Sequence, residues 1–483
     1  MLLIQVFKNK VVFYLASRYL TYFIQFVTSL IIAVKLGPYY MGIWGFILLL
    51  LNYFQQLHFG ISNSFNVLFV QNKDDEQKCN DYMVNSMVLI SYLAICVLLF
   101  YITYLLFGNE WFEKYNASKY IPWVCIIAIL QYFVQFFTNL FRVKNQLNYV
   151  AFCQSAIIVL TFFCVFIFKE EILIKFLVLC YVIGNLLCVF LFLFSGCIPR
   201  VSDVHINLKY QKEIIKKGLY LFLYNSCFYF IIISDRTFIS ANYSVEEFGL
   251  FCFSFTMAQA IMLVLDSLTF IVFPKVIYKL SSDSSEEIVL TISRLRKVYI
   301  PSAHLLIYLA LPCFPLLLLF MPKYEFAIPS FNMIALTILI NTSSFGYLEL
   351  LISRNRESVM AKMSVLALII NCLIAASLIW VMKVGVPYVV TATLMTYVLF
   401  AISAVYYGQH CLSLHMNYVD LFYEVFPIRL FVPYCLALLL VIWEKEFLMV
   451  LPLGLFILLN FKRVVDIKDI VRKLLLKPET VNL

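Results

Sequence analysis

The stretch NSCFYFIIISDRTFISANYSVEEFGLF, residues 225–251, sets an aspartate and an arginine, Asp235 and Arg236, side by side in an otherwise apolar run. It belongs to a longer segment, residues 213–280, whose second apolar half carries Asp266 and Pro274. At the centre of a bilayer each such charge costs about 2.5–3.5 kcal/mol on insertion scales, so ionisable residues there face a protein interior or a water-filled cavity. Neighbouring residues on a helix point about 100° apart, so the two charges need not pair. Arg236 shares its face with Asn225, Tyr229 and Ser240, whereas Asp235 shares its face with Phe228 and Ile231. Only the arginine lies on a polar stripe, which marks a functional site. The alternative reading is a locally neutral packing device between helices.

Composition fixes the class to which this stretch belongs. The chain has 483 residues, 63% of them apolar and 13% charged, against about 25% charged in soluble domains. Runs of about 20 apolar residues mark fourteen candidate spans: approximately 12–34, 39–62, 83–107, 120–141, 149–168, 172–194, 214–240, 247–274, 298–321, 327–352, 358–382, 386–408, 424–443 and 447–461. No stretch alternates as the strands of a membrane barrel would. The expected class is an all-α polytopic membrane protein with about 14 transmembrane helices. The first apolar run is too long for a signal-peptide core and remains as the first helix.

The net charge of +9 is a topology signal rather than a nucleic-acid footprint. With both termini inside, inner segments carry 26 of the 36 basic residues, outer segments carry 8, and only Arg18 and Arg236 remain within spans. That asymmetry is the positive-inside pattern, and a miscounted span would destroy it. Fourteen cysteines without a Cys-x-x-Cys pair imply neither a disulfide framework nor a metal site.

Other spans carry polar faces. Tyr14, Arg18, Tyr22, Gln25 and Ser29 share one face of the first span, which predicts a cavity-lining helix; snorkelling of Arg18 to the boundary is the alternative. Gln131, Gln135, Thr138 and Arg142 share a face of the fourth span, where amides bind sugars or tie helices together. Asp266 shares its face with Gln259, Met262 and Thr269, before Pro274, and Glu349 precedes Arg354, with which it can pair. His304 reads as a core histidine. The residues Ser195 to Lys212 hold no apolar run and read as a linker.

The two halves repeat. Met41-Gly42-Ile43-Trp44 returns as Phe248-Gly249-Leu250-Phe251 and Ile121-Pro122 as Ile328-Pro329, both at an offset of 207, while Lys144-Asn145-Gln146 meets Arg354-Asn355-Arg356 three residues further out. A duplicated six-helix unit follows, its two copies parallel in topology because the helix number is even. The expected organisation is an N-terminal lobe over 1–195, a linker over 196–212, a C-terminal lobe over 213–409, two further helices over 410–461 and a basic amphipathic tail over 462–483 lying along anionic lipid.

Three landmarks resemble the polysaccharide flippases, the Wzx-type branch of the multidrug/oligosaccharidyl-lipid/polysaccharide (MOP) exporter superfamily. They are LGPYYMGIW at Leu36–Trp44, SDRTFISANYSVEEFGLF at Ser234–Phe251 with Pro274 beyond it, and the block Tyr324–Thr396 including Arg354-Asn355-Arg356. The sequence departs from the family at His58-Phe59-Gly60, where members often place an acid before the glycine, and Phe251 replaces a usual tyrosine.

The resemblance implies two pseudo-symmetric, MATE-like six-helix lobes facing a central cavity, plus two C-terminal helices, in the bacterial inner membrane with both termini cytoplasmic. It implies a transporter, not an enzyme, that flips a polyprenyl-pyrophosphate-linked oligosaccharide for O-antigen, capsule or related lipopolysaccharide assembly, beside polysaccharide polymerase and chain-length machinery. Such a cargo needs fixed cations for the pyrophosphate and hydroxyl, amide and aromatic partners for the sugars. Arg18, Tyr22, Gln25, Gln131, Gln135, Asn225, Tyr229 and Arg236 are the residues of those types. No cofactor is expected. Coupling to a proton or sodium gradient falls to an acid within a span, Asp266 first, then Asp235 and Glu349. A multidrug exporter of the same superfamily is the nearer rival, and an integral-membrane polymerase or glycosyltransferase the more distant, because the outer loops are short.

Overall fold

The computed structural model describes residues 10–108, 110–196, 205–282, 284–413 and 417–476. Among them there is no strand. Backbone groups in hydrocarbon must be satisfied within their own segment, and long apolar runs do so only as helices. Among the described residues nine helices are long and apolar enough to cross a membrane, eleven if two bent pairs are each taken as one span. The expected fourteen stretches are compatible with this count, since one of those nine, Ser17–Gln71, takes in most of the first two. Two more fall on helices whose side chains are only partly described, Val245–Ser282 and Val450–Leu476.

The chain forms two compact units, Met1–Ser226 with Ser244–Gly249, and Cys227–Tyr243 with Leu250–Leu483. The first contains α1 (Lys10–Gln56), α2 (Ile61–Gln71), α3 (Glu76–Phe107), the short α4 (Glu110–Lys114), α5 (Ile121–Val143), α6 (Leu147–Ile167), α7 (Glu170–Phe194) and the start of α8 (Leu208–Asn242). α1 is two helices joined at Gly37, whose φ of 68° suits glycine, with Pro38 opening the second. It packs on α6 and α7, and α5 packs on α3 and α7. Stacked rings fill the core, Phe46 on Tyr115 at 4.3 Å and Phe137 on Phe192 at 3.7 Å. The end of the linker docks on α3. Asp81 accepts from the His205 N–H at 2.7 Å and Asn85 donates to the His205 carbonyl at 2.8 Å. The linker residues Pro199, Arg200 and Asp203 lie outside the described residues.

The repeated glycines have a steric reason. A Cβ on Gly42 would strike the carbonyl of Val245, and one on Gly249 would strike the carbonyl of Pro38. The repeated basic turns also share a conformation, with Asn145 at φ 57° and Asn355 at φ 53°.

The second unit holds the end of α8, most of α9 (Val245–Ser282), α10 (Ser285–Leu318), α11 (Ile328–Thr342), α12 (Tyr347–Ser353), α13 (Glu357–Ala376), α14 (Val386–Val389), α15 (Thr391–Cys411), α16 (Tyr418–Val425), α17 (Ile428–Ile442) and α18 (Val450–Leu476). α10 is packed by α11 and α18, and α15 by α11 and α13. A capping box of Ser284 and Glu287 starts α10 well before residue 298. The expected stretch 327–352 is broken between α11 and α12, where Gly346 takes φ 90°.

Gly249→Val places a branched side chain against the Pro38 backbone and is expected to lower stability by about 1–3 kcal/mol or more. Thermal unfolding of the purified protein checks this, with Gly454→Val as the control, because a Cβ at Gly454 meets nothing within 4 Å. Equal melting temperatures of the two variants would refute the close packing.

Candidate functional site

In the first unit the Arg18 guanidinium is half-buried, donates from Nε to the Tyr22 hydroxyl at 2.8 Å and lies 4.7 Å from that ring's centroid. The face that enters the core is a different one. Thr21 and Thr28 are buried, each donating to the backbone carbonyl four residues earlier at 2.7 Å, while Gln25 is exposed. The Arg18, Tyr22 and Gln25 face therefore stands off the core of its own unit. On α5, Gln131 and Gln135 are half-buried, and Gln131 Oε1 has no hydrogen-bond partner. Beside them Asn66 donates to Asn139 Oδ1 at 2.9 Å, and Asn139 donates to the Gln135 carbonyl. No hydrogen bond among the described residues joins the Arg18–Tyr22 pair to these amides. Asn225 is exposed.

In the second unit Asp235 and Arg236 go to different surroundings, as their angular separation requires. Arg236, only 5% exposed, points Nη2 at Cys252 Sγ, 3.7 Å away, and lies over the Phe255 ring at 5.1 Å. Tyr229, on its face, is half-buried, and Ser240 is buried, donating to the Thr237 carbonyl at 2.8 Å. Asp235, 4% exposed, enters a cluster of oxygens built by α8, α13 and α15. Ser234 Oγ donates to Asn371 Oδ1 at 2.5 Å, Asn371 Nδ2 donates to Thr393 Oγ1 at 3.0 Å, and Thr393 Oγ1 donates to Asp235 Oδ2 at 2.7 Å. The donors run one way and end on the carboxylate. Asp235 Oδ1 is buried without a hydrogen-bond partner, and no salt bridge among the described residues includes Asp235.

A buried carboxylate with free lone pairs and no basic partner is costly as a bare anion. It suits a proton or a hard cation that takes oxygen ligands. No group of three or more His, Cys, Asp or Glu residues among those described could hold a metal ion. Asn371 and Thr393 are new members of the site. They lie more than a hundred residues from Asp235, and a single sequence carries no sign of the pairing beyond their polarity within spans.

The other two acids fare differently. Glu349 accepts from the Gly346 N–H at 2.6 Å as the cap of α12. The side chain of Asp266, on α9, lies outside the described residues. Charge balance also corrects the count of buried cations. Arg296 lies inside α10 and is 6% exposed. Its Nη1 donates to the carbonyls of Ser343 at 2.5 Å and Phe345 at 2.9 Å, its Nη2 to the carbonyl of Glu424 at 2.6 Å, and its Nε pairs with Glu424 Oε1 at 3.0 Å. Arg18 and Arg236 are thus not the only basic residues within spanning helices. The apolar stripe of Ile288, Ile292, Ile300, Ala303 and Ile307, with Arg296 in register, was the available signal.

The fold defines a class. The chain is similar to a multidrug resistance MATE family transporter of the MOP superfamily in an inward-facing conformation, with a TM-score of 0.67 and 12% identity over 81% of this chain and 94% of that one. It is similar to the lipid II flippase MurJ in an inward closed conformation, with a TM-score of 0.62 and 14% identity over 95% and 100%. MATE in the straight conformation gives 0.57 and 13% over 84% and 96%. These neighbours are named as transporters and a flippase, and at such identities the likeness is one of fold. No curated protein matches significantly. Residues 7–254, just over half the chain, match the family of polysaccharide biosynthesis proteins, and the chain belongs to that family.

Arg296→Ala leaves three carbonyls without their donor and is expected to cost about 2–5 kcal/mol. Arg296→Lys recovers only part of this, because an ammonium lacks the planar fork. Thermal unfolding in detergent measures both, and a wild-type melting temperature for the alanine variant would overturn the structural role.

Proposed function

We propose that the protein flips a polyprenyl-pyrophosphate-linked oligosaccharide repeat unit from the inner to the outer leaflet of the bacterial cytoplasmic membrane by alternating access. The product would feed O-antigen, capsule or related surface polysaccharide. One observation carries the reading: a chain of the polysaccharide biosynthesis family has the fold of MATE transporters and of a lipid II flippase. A polysaccharide pathway needs a membrane step, and this fold belongs to membrane-step proteins. The Arg18–Tyr22 pair supports it, since a forked cation beside an aromatic face suits a phosphate joined to a sugar. Tyr22, Gln25, Gln131, Gln135, Asn225 and Tyr229 are the proposed sugar partners, and Arg236 the second cation.

Coupling is proposed at Asp235. Its free Oδ1 and the converging hydroxyl and amide groups support a site that takes up a proton or sodium ion, whereas the Glu349 carboxylate is already engaged as a helix cap. A group whose charge changes between states is what lets an ion gradient drive the cycle. Asp266 remains proposed as a second acid.

Three substitutions test the reading in a strain deleted for the gene, with surface glycan as the readout. Arg236→Ala is expected to abolish export at normal protein level, with Arg236→Lys retaining part of it. Undiminished export by the alanine variant would remove Arg236 from the site. Asp235→Asn is expected to keep cargo binding but to make transport insensitive to the proton or sodium gradient. Normal ion dependence in that variant would exclude Asp235 as the coupling acid. Export of cationic drugs with unchanged glycan would favour the multidrug reading instead.

A further inference from the structure

The bend between α16 and α17 and the kink in α18 bring together three cations that neither the fold nor the proposed transport cycle uses. α16 and α17 meet at 66°. α18 leaves helical geometry at Asn460, with φ −123° and ψ 21°, and the buried Asn460 side chain donates from Nδ2 to the Arg429 carbonyl at 2.9 Å. That bond ties the first turn of α17 to the point where α18 turns away, two and three residues before Lys462 and Arg463. Arg429 and Lys462 are exposed and Arg463 is half-buried. Among the described residues none of the three has an acidic partner.

We propose that this corner binds the phosphate headgroup of an anionic phospholipid, with Arg429, Lys462 and Arg463 as its cations. Like charges held together by the fold repel, and a phosphate with its several acceptor oxygens is the group that relieves them. Consistent with this, burial and the neighbouring Arg429 hold the Arg463 guanidinium below its usual range. By the charge pattern of the sequence this end of α17 and α18 faces the inner leaflet, where anionic lipids collect.

A further feature fits a lipid rather than a free anion. α16 exposes Tyr418, at 89%, and Tyr423, a residue type that settles at the headgroup level. Ile428 and Phe461, exposed next to Arg429 and Lys462 in the chain, offer apolar surface for an acyl chain whose phosphate stays with the cations. The site does not depend on what cargo the protein carries.

The test uses the purified full-length protein in neutral detergent, followed by native mass spectrometry and thermal unfolding. Phosphatidylglycerol, phosphatidylcholine, inorganic phosphate and polyprenyl phosphate are added separately. Phosphatidylglycerol is expected to remain bound and to raise the melting temperature by several degrees, with little effect from the other three. At about fivefold per cation, the R429Q/K462Q/R463Q variant should bind it roughly a hundredfold more weakly. R429Q alone, which leaves α18 untouched, should lose roughly fivefold, and R429K should keep most of the affinity. Unchanged phosphatidylglycerol affinity in R429Q and in the triple variant overturns the proposal. So does equal stabilisation by phosphatidylcholine, which would mean a site blind to charge. An equal shift with inorganic phosphate would make this a free-anion site, and tighter binding of polyprenyl phosphate would assign it to the cargo; either result overturns the assignment to phospholipid.

Discussion

A helix that stops within a packed interior leaves carbonyls with no water to donate to them, and in the second unit one guanidinium answers for two such stops. Arg296 donates to Ser343 and Phe345, where α11 gives way to α12, and to Glu424, near the end of α16. The ion pair with Glu424 balances its charge. The Tyr347 hydroxyl donates to the same carboxylate at 3.1 Å and accepts from Gln409 Nε2. The break in α11–α12 and the bend at α16 are therefore possible together because a single side chain has enough donors for both. An aliphatic residue at 296 would suit its helix stripe better and leave both breaks unsatisfied.

The same constraint sorts the other buried charges. Glu349 is occupied by the Gly346 N–H, and Arg236 is held among Cys252 and Phe255. Asp235 differs from Glu349 because its protein partners satisfy one oxygen and leave the other open. Structural polar groups in an apolar interior are usually saturated, so incomplete saturation at a carboxylate is the property that a reversible ligand requires.

Much of the fold was legible in the sequence, and the reasons are local. Apolar runs, the Gly37-Pro38 turn and the paired Asn145 and Asn355 turns depend on residues adjacent in the chain. The divergence of Asp235 and Arg236 followed from helix geometry alone. What was not legible depended on long-range packing or on where a helix begins. Arg296 was assigned to a loop because α10 starts at Ser285, and Asn371 and Thr393 join Asp235 only through the packing of α8, α13 and α15. Arg18 and Tyr22 of the first span's polar stripe meet as their spacing of four requires, but periodicity could not say that Thr21 and Thr28, rather than that stripe, turn into the core.

The glycines of the repeated motif meet almost backbone to backbone, Gly42 beside Val245 and Gly249 beside Pro38. The two segments are each other's steric environment at this position. A side chain gained by either glycine strikes the backbone of the opposite segment, so a change tolerated at one position depends on the backbone at the other.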